Sequence, residues 1–145
     1  MDDLVQEMKV VLASTFAFYL KVHGFHWNIE GPNFPQYHKF LDKIWNEVFD
    51  AVDPIAEHLR TLEAYAPASF ARYIELSIIK DELNIPAAMS MMSKLLADNI
   101  KIIDLLNKTQ ALAEKEKKMG IANFLQDRID AHEKHSWMLR STLKG

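Results

Sequence analysis

Apolar positions recur every three or four residues through most of the chain. From Leu4 to about Asn28 the repeat runs Leu4, Met8, Val11, Leu12, Thr15, Tyr19, Val22 and His26, one face of an amphipathic helix. The run Glu30-Gly31-Pro32-Asn33 interrupts it, since glycine and proline punctuate. A second helical repeat follows, with Phe34, His38, Leu41, Trp45, Phe49, Val52, Ile55, Leu59 and Leu62, and ends near Glu63 ahead of Ala66-Pro67. Ser69 to Lys80 carries a short helical pattern inside a long connection. A third long helix is expected to start around Asn84-Ile85-Pro86, where Asn can cap and Pro suits the first turn, and to run towards Glu114. Gly120 is expected to break the chain before a fourth helix from Phe124 to about Leu143. The pattern therefore predicts an all-α fold, a four-helix bundle with a short extra helix in the long crossover between helices two and three.

Composition narrows the class without changing that picture. The chain has 145 residues, 49% hydrophobic and 26% charged, enough for one compact domain spanning 1–145. Four glycines and five prolines leave few turns, so the elements must be long. The net charge of −3 and the opening Asp2-Asp3 provide no basic arm or patch for nucleic acid. Without cysteine, thiolate ligands, disulfides and a cysteine nucleophile are excluded. The start lacks a signal-peptide pattern, and no run approaches the ~20 apolar residues that span a bilayer. The expected location is the cytoplasm.

The tight turn at residues 30–33 organises the candidate chemistry. It folds helix one against helix two, which puts His26 and His38 at about the same height across the hairpin. Two facing neutral imidazoles are half of a transition-metal site. Further along helix two, Asp53 and Glu57 are an i, i+4 carboxylate pair on one face. His38 and Asp53 lie about 22 Å apart at roughly 1.5 Å per residue, so one chain cannot gather all four. If they share a metal, the carboxylates come from a second copy across a two-fold axis. On spacing alone the plainer reading stays open: hydrogen-bonded core histidines and a solvated acidic pair.

The residues His26-Trp27-Asn28, Gly31-Pro32-Asn33-Phe34, His38, Phe40, Asp42, Asp53 and Ile55-Ala56-Glu57, with the later run Glu133 to Arg140, resemble the signature of the Dps family, the mini-ferritins of the ferritin-like superfamily. The resemblance implies a hollow dodecamer that stores iron, oxidises Fe(II) with hydrogen peroxide and protects against oxidative stress. It implies ferroxidase ligands His26 and His38 from one subunit with Asp53 and Glu57 from its neighbour, and Asp42 on a second, weaker iron. A structural cage whose site holds zinc is an alternative, since the Irving–Williams order lets zinc occupy the same residues in purified samples. Family kinship also admits a DNA-condensing cage, against which the missing basic arm argues. Neither Glu-x-x-His nor His-Glu-x-x-His occurs, which removes the intrasubunit di-iron and zinc-protease patterns.

Four positions depart from the family pattern. Pro54 sits inside helix two between two of the implied ligands, and His58 stands where arginine is usual. Gly120 and Asn123 replace acidic residues that line three-fold pores, with Glu114 and Glu116 nearby as substitutes. Other residues have plainer roles: His23 as packing, His132 and His135 as an exposed face, and Met89, Met91 and Met92 as core. Trp27 and Trp45 are core residues first and electron donors near the site second. Lys115, Lys117 and Lys118 alternate with glutamates in a solvated loop.

Overall fold

A computed structural model describes residues 1–145 as five helices: α1 (Asp2–Asn28), α2 (Phe34–Thr61), α3 (Phe70–Leu76), α4 (Ala88–Lys115) and α5 (Met119–Leu143). Short turns make α1–α2 and α4–α5 two antiparallel hairpins, and residues 62–87 form the crossover between them. Helix α1 also packs on α4 and on α3, and α2 touches α5. One apolar cluster fills the interior, with Met8, Leu12 and Phe18 of α1, Leu41 and Ile55 of α2, Met92 and Leu95 of α4, and Leu125 and Leu139 of α5. Each such side chain contributes about 1.5–3 kcal/mol by leaving water. No helix is long and apolar enough to cross a membrane.

The first hairpin is built by its turn. Gly31 has φ +108° and Asn33 φ 68°, left-handed conformations that glycine, and less readily asparagine, adopt. Asn33 caps α2, with Pro35 in its first turn, where a missing N–H costs nothing. The buried Ile29 closes α1 by donating its N–H to the Phe25 carbonyl at 2.9 Å. Helix α2 continues unbroken through Pro54.

Two predicted boundaries move. Helix α4 starts at Ala88, and Asn84 and Pro86 lie in the crossover. Side chains hold that segment open: Lys21 Nζ donates to the Lys80 carbonyl at 3.0 Å, and Glu82 pairs with Lys94 at 3.0 Å. Gly120 is not the break before α5 but lies in its first turn. The chain turns at Glu116–Lys118 instead, with Lys117 left-handed at φ 58° and Lys118 N–H reaching back to the Ala113 carbonyl at 2.9 Å, a helix stop that usually recruits glycine.

Candidate metal centre

His26 and His38 meet across the hairpin. Their rings stack with centroids 3.8 Å apart and planes 13° from parallel. Each Nδ1 lies against the other residue's backbone carbonyl, at 2.6 Å for His26 and 2.7 Å for His38. A carbonyl only accepts, so each Nδ1 carries the proton and donates. In the neutral rings both Nε2 atoms are therefore left with a lone pair, the arrangement that orients imidazole for a metal. His26 is buried and His38 half-buried. Asp42, one turn beyond His38, puts Oδ1 3.7 Å from His26 Nε2 and accepts the Trp45 indole N–H at 3.0 Å.

The two remaining predicted ligands stand elsewhere on the same helix. Asp53 and Glu57 are exposed, and no group of three His, Asp or Glu side chains within the chain could hold a metal. The Glu57 carboxyl is pushed above the usual range by the hydrogen bond that its protonated form gives Asp53, and then by the like charge of Asp53.

His23 packs beside this half-site. Its ring stacks on Trp45 at 3.8 Å and lies 4.1 Å from Trp27, and its Nδ1 is 2.9 Å from the Tyr19 hydroxyl. Burial, and then the neighbouring His26, push its pKa down. His58 rests against Phe124 at 4.7 Å, and burial lowers its pKa as well.

The histidines of α5 are not an exposed face; both are buried. His132 donates Nδ1–H to Asn99 Oδ1 at 2.6 Å, and its Nε2 accepts from Arg128 Nη2 at 3.1 Å. Asn99 Nδ2 donates in turn to the His132 carbonyl and to Ser136 Oγ, both at 2.7 Å. Arg128 grips Glu47 through both terminal nitrogens, and His135 Nε2–H donates to Glu47 Oε1 at 2.7 Å. Burial works to raise the Glu47 pKa, but hydrogen bonds from His135 and Arg128 outweigh it and hold the group at about 2. Desolvation, and then Arg128, push His132 well below its ordinary value. Spacing overlooked Glu47, Asn99 and Arg128. The i, i+4 step from Arg128 to His132 was the only local sign of the network.

A ferritin-like domain family matches residues 6–145. The antigen TpF1 of Treponema pallidum is 32% identical over 143 residues, covering 98% of this chain and 81% of that protein. Its crystal structure superposes with a TM-score of 0.95 over 99% of this chain and 93% of that one. The chain belongs to the ferritin-like family, in its Dps branch. Within that branch, the DNA protection during starvation protein of Brevibacillus brevis is 29% identical over 150 residues, 99% of this chain and all of that protein. The Dps protein of Vibrio cholerae O1, described as one of a broad superfamily of ferritin-like diiron-carboxylate proteins, superposes with a TM-score of 0.94 at 28% identity, over 99% of this chain and 90% of that one.

Proposed function

We propose that this Dps oxidises and stores iron at sites completed between two copies of the chain, with His26 and His38 from one copy and Asp53 and Glu57 from the other. Membership of the Dps branch supports iron handling and stress protection in general. The observation that carries the specific reading is the reciprocal clasp of the hairpin, in which each Nδ1–H is spent on a carbonyl and each Nε2 is free. Imidazole nitrogen with carboxylate oxygen suits iron, and hard carboxylates favour the ferric product. Asp42, whose Oδ1 lies 3.7 Å from His26 Nε2, contributes to a second, weaker ion that needs further ligands from outside this chain.

A second copy also answers an apolar surface that one chain leaves bare. Phe70 and Ile74 of α3 are 76% and 72% exposed, Leu83 of the crossover 89%, and Trp27, adjacent to His26, 58%. Two grooves that share Ala17 and Leu20 connect these residues into one surface. Contiguous apolar area of this kind marks an interface, and covering it with a copy of the chain would place foreign carboxylates next to the histidines. The expected assembly is a homo-oligomer of the dodecameric Dps type.

The test follows Fe(II) oxidation by absorbance, anaerobically with added peroxide and separately in air, beside a His26→Ala, Asp53→Ala double variant. Fast peroxide-dependent oxidation by the native protein, lost in the variant, is expected. Oxidation no faster than buffer alone would end the ferroxidase reading and leave a ferritin-like shell. Mass measurement in solution separates a dodecamer from smaller states.

A further inference from the structure

We propose that the Arg128 guanidinium is a resident cation lodged in a three-donor metal position inside the bundle, and that it keeps divalent transition ions out of the bundle interior. Glu47 of α2 and His132 and His135 of α5 build the position. Glu47 accepts from the guanidinium through both oxygens, with Oε1 3.1 Å from Nη2, and His132 Nε2 stands 3.1 Å from the same nitrogen. His135 Nε2 lies 2.7 Å from Glu47 Oε1. One carboxylate and two imidazoles gathered around a single buried charge are a donor set that zinc, cobalt and ferrous ions accept. Helical bundles place their metals in such a setting, among inward-facing side chains of neighbouring helices. A plain ion pair needs only the guanidinium and the carboxylate, with no imidazole lone pair turned on the same nitrogen.

Asn99 holds His132 ready as a ligand. Its Nδ2 donates to the His132 backbone carbonyl, which can only accept, so Oδ1 is the atom that faces His132 Nδ1. Nδ1 therefore carries the proton and Nε2 the lone pair, the tautomer of a metal-bound imidazole whose other nitrogen is held by a partner. Here that lone pair is spent on Arg128. Two of the donors stand about 1 Å too far out for an ion, at 3.1 Å from Nη2 instead of roughly 2.1 Å. As folded, the chain accordingly has no closed group of three ligands. With the guanidinium gone, Glu47 and His132 can close in, and His135 frees Nε2 by carrying its proton on Nδ1. Two lysines reinforce the exclusion. A cavity of about 250 Å³ reaches Glu47 and His135, and Lys43 and Lys134 line it. An incoming divalent ion passes those ammonium groups and then meets a carboxylate already neutralised, within range of the guanidinium's repulsion.

The test counts Co(II) bound to the full-length assembled protein near neutral pH, by equilibrium dialysis and visible absorption. It is run under nitrogen without iron or peroxide, so its outcome is independent of iron oxidation at the hairpin. We expect Arg128→Ala to bind one more Co(II) per chain than the native protein, with the visible bands of imidazole-bound Co(II). Arg128→Lys, which keeps a cation in place, should bind no more than the native protein. The Arg128→Ala, His132→Ala double variant should hold the extra ion at least tenfold more weakly. If Arg128→Ala does not assemble, Arg128→Met, which keeps the stem and loses only the charged head, carries the same expectation. The urea midpoint of the charge-free variant, lowered by the missing pair, should rise with added Co(II) by more than the native midpoint does. Equal Co(II) counts in the native protein and the charge-free variants overturn the proposal, as does an extra ion in Arg128→Lys. An extra ion that the loss of His132 leaves untouched overturns it too.

Discussion

The chain contains two close histidine pairs that use their nitrogens in opposite ways. His26 and His38 lie nearly parallel, 3.8 Å apart, with both Nδ1–H groups given to backbone carbonyls. His132 and His135 stand almost perpendicular, 5.5 Å apart. There His132 uses both ring nitrogens on Asn99 and Arg128, and His135 commits Nε2–H to Glu47. The first pair leaves the lone pairs of both Nε2 atoms unspent within the chain, as the proposed cation site requires. The second faces an internal one, because the Arg128 guanidinium already neutralises the Glu47 carboxylate. Proximity of histidines is thus a poor sign of a metal site; the partners of the other nitrogen decide it.

The largest effect expected from breaking this contrast is on catalysis. His26→Ala should lower peroxide-dependent Fe(II) oxidation at least ~100-fold, the upper range for a lost metal-site partner, while stability falls by only about 1–2 kcal/mol from the orphaned His38 carbonyl. Stopped-flow absorbance and urea unfolding measure the two separately. Glu47→Leu should do the reverse. It leaves Arg128 buried without its carboxylate, so unfolding should become easier by about 2–4 kcal/mol, at the lower end for a broken buried pair because Glu47 is partly exposed. Its oxidation rate per assembled cage should stay near native.

The pH dependence sharpens the same contrast. His132 is held neutral in the fold, whereas in the unfolded chain it takes up a proton below about pH 6.5. The unfolded state then binds more protons, so stability from this group is full above about 6.5 and declines as pH falls. Between pH 7 and 5 the native protein should lose about 2 kcal/mol from this source, and His132→Gln should show a flatter profile in denaturant titrations. Glu47 adds a second loss only in stronger acid, from about 4.5 down towards its folded value of about 2. The smallest effect belongs to Arg128→Lys, which keeps the charge but not the two-pronged grip. About 1 kcal/mol should be lost, read as a shift in urea midpoint.

Much of the fold and the first histidine pair were legible because they depend on local rules. The apolar repeat locates the long helices, and Gly31-Pro32-Asn33 specifies a turn whose length alone sets His26 opposite His38. The start of α4 was not legible, since Asn84 and Pro86 look like a helix opening. Lys21, distant in the chain, and Lys94, within α4, tie down the crossover at Lys80 and Glu82. Nor could spacing reveal His132 and His135 as interior residues, because their partners Asn99 and Glu47 are 33 and 88 positions away. Gly120 misled for a related reason, since Lys117 adopts the left-handed turn without a glycine.

The distance between His38 and Asp53 along one rigid helix has a consequence for the life of the protein in a cell. A freshly made chain carries imidazoles at one place and carboxylates at another, and no bending of α2 unites them. On the proposed assembly, iron chemistry is therefore deferred until two chains meet. At low abundance the activity should climb with the square of chain concentration, and a lone molecule is redox-silent. On that assembly the helix would act as a timer, keeping ferrous iron and peroxide from reacting on a surface that has no shell to hold the product.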